Sequence, residues 1–166
     1  MGILPALRGL PFQVVLTKYT GAAPPFFYNK AMIESIAKNL PALLAALLVA
    51  ILFIQSGLDK VFDWKGNMEW LKSHFSKTFL APMVPMMVAA ITVLELATGF
   101  LAAAGIIYFL ASGSTLVIFY AAVLGALSIL SLFFGQRVAK DYPGSGALVP
   151  YFILLLILIV LTNPYK

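Results

Sequence analysis

A single acidic residue constrains this chain more than any other feature. Glu95 sits in the stretch Ile91–Gly105, ITVLELATGFLAAAG, inside a run from Pro85 to Leu110 that carries no other charge. About 20 residues suffice to cross a bilayer as a helix, so the run is long enough to span. A carboxylate near the middle of such a span costs a few kcal/mol or more unless it is neutralised or paired. The surroundings of Glu95 therefore decide how the rest of the chain is arranged.

Composition sets the environment. The chain is 62% apolar and 10% charged, whereas soluble domains are about 45–50% apolar and about 25% charged. An all-α, polytopic membrane protein follows. The formal net charge of +5 comes from residues outside the apolar runs. This suits anchoring to anionic lipid headgroups, and the lack of a basic cluster with interleaved aromatics argues against nucleic acid as a partner. There is no cysteine and one histidine, His74. Disulfides, thiolate metal sites, iron–sulfur ligation and haem ligation by paired histidines within the chain are thereby excluded. Any metal in redox chemistry would belong to a partner.

Taken in order, residues 1–36 form a tail or interfacial segment and residues 37–166 a four-helix transmembrane domain. Leu4, Leu7, Leu10, Val14 and Val15 recur at near-helical spacing, which suits a short helix in the headgroup region or an unstructured tail. Pro5, Arg8 and Pro11 break what would otherwise be a signal-peptide core, so this segment is expected to be retained. Pro24 and Pro25 make GAAPPFFY extended. Residues 31–39 are amphipathic. The first span covers about 40–58, with Pro41 in its first turn. A short surface helix is expected over about 66–75, where Met68, Leu71 and Phe75 share a face and Trp64 and Trp70 suit headgroup level. The second span follows Pro82 and Pro85. Gly113 turns the chain tightly into a third span over about 114–134. Ala121 and Gly125, four apart, let helices approach closely. Residues 135–146, GQRVAKDYPGSG, read as a polar loop, and a fourth span covers about 147–161 with Pro150 in its first turn. Five basic residues on one side (Arg8, Lys18, Lys30, Lys38, Lys166) face six on the other. That balance does not set orientation; a cationic tail is hard to translocate, which favours both termini in the cytoplasm.

Helix rise gives Glu95 neighbours. At ~1.5 Å per residue, Gln55 on the first span, Glu95 on the second and Ser128 on the third fall at the same depth. Ser56 and Ser131 are near that level. Thr92, Glu95, Thr98 and Gly99 share one face of the second span. Asp59 and Lys60 end the first span; Lys60 is able either to reach the layer or to snorkel to headgroups. Glu95 is then either a register-fixing hydrogen-bond partner or a proton- or ligand-handling carboxylate. Trp70 and His74 are either interfacial side chains or contacts for a quinone headgroup.

The segment SGLDKVFDW, an interfacial helix after it and ELATGFLAAAG in the second span together resemble the DoxX family of small four-span bacterial membrane proteins. Gly57, Lys60, Glu95, Gly99, Leu101 and Gly105 carry the pattern, and the resemblance covers roughly residues 38–162. The family takes its name from the small subunit of a thiosulfate:quinone oxidoreductase. The resemblance implies membership of membrane-associated redox complexes or a part in maturing secreted redox proteins; without cysteine, thiol redox chemistry is closed to this chain.

The expected function is therefore an accessory or quinone-facing subunit of a respiratory-type electron-transfer complex in the bacterial inner membrane. It would bind no cofactor by itself beyond a quinone, and its partners would be other membrane subunits, lipids and further copies of itself. The alternatives are a small proton-coupled transporter or channel-forming oligomer, and a structural or assembly subunit of another membrane complex. No catalytic nucleophile or metal ligand set marks it as an enzyme alone.

Overall fold

The computed structural model describes residues 25–166, with side chains from residue 30 onward. The described chain is helical throughout its elements: α1 (Pro25–Phe62), α2 (Trp64–His74), a 3-10 turn (Ala81–Met83), α3 (Val84–Ser112), α4 (Leu116–Val138) and α5 (Tyr142–Thr162). Four segments, 30–62, 81–112, 116–138 and 142–162, are long and apolar enough to cross a membrane. Successive spans run antiparallel, with α2 as the short interfacial helix between the first two. The helix expected around Leu4–Val15 lies outside the described residues. The chain divides into two compact units, 1–39 and 40–166. In the first, the described part is the start of α1, where exposed Lys30 and Glu34 pair one turn apart at 3.9 Å. The remainder concerns the second unit.

Two expectations about prolines at the start of α1 are corrected. Residues 25–28 are already helical rather than extended, because proline at a helix start gives up no intrahelical hydrogen bond. Pro41 therefore falls inside α1, where its missing N–H removes one.

Lipid tails are as apolar as leucine, so burying apolar surface does not drive these helices together; close packing through small residues does. α1 buries Ala42, Ala46, Val49, Ala50 and Phe53, a face repeating every three or four residues. α3 buries Thr92, Glu95, Thr98, Gly99, Ala102 and Gly105. Gly99 sets the approach of these two helices. A β-carbon there would lie 2.7 Å from the Ile54 backbone nitrogen and 3.2 Å from the Ala50 carbonyl oxygen. Further along, Gly105 faces the backbone of Ile118 on α4, and Gly125 on α4 faces Leu155 on α5. The outward faces, including Leu44, Leu48 and Ile51 on α1 and Ile153, Ile157 and Val160 on α5, are exposed, as a lipid-facing surface requires.

The turns explain the other boundaries. Gly113 adopts φ 73° between α3 and α4, and its amide donates to the Phe109 carbonyl at 2.7 Å. The loop expected over residues 135–146 is much shorter. α4 runs on to Val138, Lys140 takes φ 60°, and α5 begins at Tyr142. Asp141 makes this possible: its carboxylate accepts the Gly144 amide at 2.9 Å, capping α5. Pro143 thus occupies the first turn, and Pro150 lies in the helix interior. Asp63 caps α2 in the same way, accepting from the Gly66 amide at 3.1 Å. α2 is held down by a cluster of Phe75, Leu80, Val84 and Val88, with Met68, Leu71 and Val138 against it.

Gly99→Leu should drive α1 and α3 apart and lower stability by about 1–3 kcal/mol through overpacking. Gly146→Ala, where an added β-carbon meets nothing within 4 Å, should change the thermal midpoint little. Parallel thermal unfolding of the two variants in detergent checks both outcomes.

Candidate functional site

The inward face of α1 continues past Phe53 to Ser56 and Gly57, three and four residues on, and then to Lys60, four and three residues beyond those two. This carries the Lys60 side chain to the middle of α3. Its ammonium lies 2.8 Å from Glu95 Oε2 and 3.2 Å from Oε1, straddling the carboxylate. The approach to Oε1 has hydrogen-bond geometry; Oε2 receives the charge without a directed bond. Nζ also donates to the Ser56 carbonyl at 3.1 Å and lies 3.0 Å from Ser56 Oγ. Ser56 Oγ in turn donates to Glu95 Oε1 at 3.0 Å. Glu95 is 2% exposed and the Lys60 side chain 16%, so the carboxylate is shielded from lipid and its partner lies nearer the rim.

An ammonium has three donors and no acceptor. Here all three are used within the Ser56–Glu95 group. The outcome is a locally neutral ion pair with its hydrogen bonds largely satisfied, the condition under which a buried pair is tolerable. Close packing of α1 on α3 is what brings the groups within reach: Gly57 meets Leu96, and Gly99 meets Ile54.

Beside this pair lies a cavity of about 380 Å³. Apolar side chains of α3, among them Met87, Ile91 and Leu94, form its walls, and Trp70 and Leu71 of α2 also line it. Polar groups are few: Lys60, Asn67, Ser131 and Gln136. Small-molecule sites typically occupy ~300–1,000 Å³ and combine apolar walls with a few polar groups. Trp70 stacks on His74, with ring centroids 4.8 Å apart and planes 18° from parallel. His74 Nε2 is 3.0 Å from Gln136 Oε1 and 4.0 Å from Asp141 Oδ2.

Compared with protein-family models, curated proteins and solved structures, the chain matches none.

The residues expected at this depth fall into three groups. Ser56, Lys60 and Glu95 come together directly. Thr92 and Ser128 are buried, but their hydroxyls donate to their own helices, to the Val88 carbonyl at 2.7 Å and the Leu124 carbonyl at 3.0 Å. Ser131 likewise donates to Leu127 and lines the cavity. Gln55 is the correction: it lies on the exposed side of α1. Two residues beyond buried Phe53 is a turn of about 200°, so matching depth placed it on the opposite face. Asp59 is exposed as well. Trp70 lines the cavity and His74 stands behind it. Asn67 and Gln136 were not among the expected site residues, and the clue to Gln136 was a helical reading of residues 135–138. Thr98 is fully buried with its hydroxyl unpartnered among the described residues.

Removing one member of the pair should cost more than removing both. Lys60→Met leaves a buried carboxylate with only Ser56, a loss of about 3–5 kcal/mol. Glu95→Gln should cost less, because the lysine, at the end of α1, can withdraw toward headgroups. The double variant Lys60→Met/Glu95→Leu should be more stable than the sum of its singles. A double-mutant cycle on thermal unfolding in lipid nanodiscs measures the coupling.

Proposed function

We propose that this chain is an accessory, quinone-facing subunit of a membrane electron-transfer complex, related to the DoxX family and resident in the bacterial cytoplasmic membrane with both termini inside. The observation that carries the reading is the cavity, lined by apolar walls and the Trp70 ring with a few amide and hydroxyl groups, beside an ion pair of zero net charge. A site of this kind suits an uncharged, flat, apolar ring bearing hydrogen-bonding oxygens better than it suits an ion. The cavity lies under the interfacial helix, where an amphiphile enters from lipid with its polar head at the headgroup level. Electron carriers come from partner subunits, because a chain with no cysteine and one histidine offers little to ligate them. Of the pair, Lys60 lines the cavity and Glu95 stands behind it.

A second reading has its own support. The ammonium of Lys60 is fully engaged by Ser56 and Glu95, which suits a device that fixes the register of α1 on α3 in an assembly subunit. Glu95→Gln separates the two: it leaves quinone binding intact if the pair only sets register, and alters quinone turnover in the assembled complex if the carboxylate handles protons.

Gentle extraction from native membrane should bring down redox subunits together with the chain. Purified protein in nanodiscs should bind a short-tailed benzoquinone, and Trp70→Ala should weaken that binding by about three- to tenfold, the value of an aromatic stacking pair. Absence of quinone binding, with only non-redox partners recovered, would contradict the proposal.

A further inference from the structure

We propose that His74, although outside the cavity, is a positioning residue that decides which end of the Gln136 amide a bound molecule meets, and so selects for rings bearing carbonyl oxygens. The inference rests on the cavity being a quinone site. It comes from the chemistry of an amide held at one end. Gln136 Oε1 only accepts hydrogen bonds, and His74 Nε2 is 3.0 Å from it. With the amide oxygen toward the ring, it is the Nε2-protonated tautomer of the imidazole that makes this contact, donating to Oε1. With its oxygen turned toward His74, Gln136 has its NH₂ at the other end, and that group donates to no protein acceptor among the described residues. Gln136 lines the cavity, so the polar group it offers a ligand is a donor. A ring carbonyl answers it; a plain hydrocarbon ring does not.

His74 acts on a second wall as well. Its ring stacks on Trp70, and Phe75 meets it edge-on at 5.1 Å. It is the last residue of α2, while Gln136 belongs to α4 and Asp141 caps α5. One imidazole thus ties the interfacial helix to the corner between the last two spans, and holds both the flat wall and the donor in place. Asp141 Oδ2 lies 4.0 Å from the same nitrogen. An orienting partner one step removed from a ligand commonly fixes the donor or acceptor end of the group that touches it, as the outer partners of ligating histidines do.

The test uses full-length protein in nanodiscs and calorimetric titration with two probes: a short-tailed benzoquinone, and the same tail on a benzene ring without carbonyls. The variants are Gln136→Leu, His74→Phe, which keeps a ring for Trp70 to stack on but has no N–H, and His74→Gln, whose amide N–H can stand in for Nε2. Gln136→Leu and His74→Phe should each weaken the benzoquinone by about five- to tenfold, the usual worth of one hydrogen bond, and leave the carbonyl-free probe unchanged. Their combination should be no worse than either alone, and His74→Gln should restore selectivity. Equal weakening of both probes by His74→Phe, or additive losses in the double variant, would overturn the role of His74 while the quinone site stands. Failure of the unaltered protein to bind benzoquinone would overturn the quinone site and this inference together. Thermal midpoints of all variants confirm that folded protein is being compared.

Discussion

A carboxylate in the middle of α3 needs a cation, and the nearest that can reach it ends α1. Everything else near the site depends on that meeting. In lipid an isolated charge at this depth is costly, and even a paired one breaks even only when the geometry is close and the remaining hydrogen bonds are made. Lys60 reaches Glu95 at 2.8 Å because α1 and α3 approach through glycine, and because Ser56 serves both charges, accepting from the ammonium and donating to the carboxylate. The packing of small residues and the ion pair are thus two halves of one constraint. Without the first the groups cannot meet; without the second the close approach would bring together a face with an unanswered charge.

The cavity is a consequence of how the chain continues after Lys60. Asp63 stops α1 and starts α2, which turns along the interface and is pinned by Phe75 and Leu80 against Val84 and Val88. The space left beneath α2 is bounded by α3 and α4 rather than filled. Its polar groups arrive from separate elements: Lys60 from α1, Asn67 from α2, Gln136 from α4. None touches the others in sequence, and His74 links two of the elements that carry them. The ion pair next to this apolar space carries no net charge, so the cavity wall beside it holds a dipole and not an isolated ion.

Much of the architecture could be read directly from the chain, since four apolar runs, a tight Gly113 turn and an amphipathic segment with two tryptophans leave few other solutions. Depth along the membrane was legible too, because rise per residue is constant. Rotation about each helix axis was not. Gln55 and Ser56 differ in depth by one residue, yet one is exposed and the other bonds Glu95; only the full three-four repeat of Ala46, Val49, Ala50, Phe53 and Gly57 separates them. Lys60 lies on the continuation of that repeat, but a lysine at a helix end is equally able to turn outward, and the choice is made by Gly57 and Gly99. Residues 135–146 looked like a loop because glycine, serine and proline usually mark one. In a membrane span these residues are tolerated, and a single capping aspartate, Asp141, was enough to draw Pro143 and Gly144 into the first turn of α5. Gln136 went unrecognised for the same reason.

The most direct test is a distance in the bilayer. With 15N at the Lys60 side-chain nitrogen and 13C at the Glu95 carboxyl, magic-angle-spinning NMR of the protein in lipid should show the strong dipolar coupling of two groups in contact, as a nitrogen–oxygen separation of 2.8 Å requires. No measurable coupling, with a mobile lysine signal characteristic of a side chain among headgroups, would mean that Glu95 is accommodated some other way and that α1 and α3 are not held in this register.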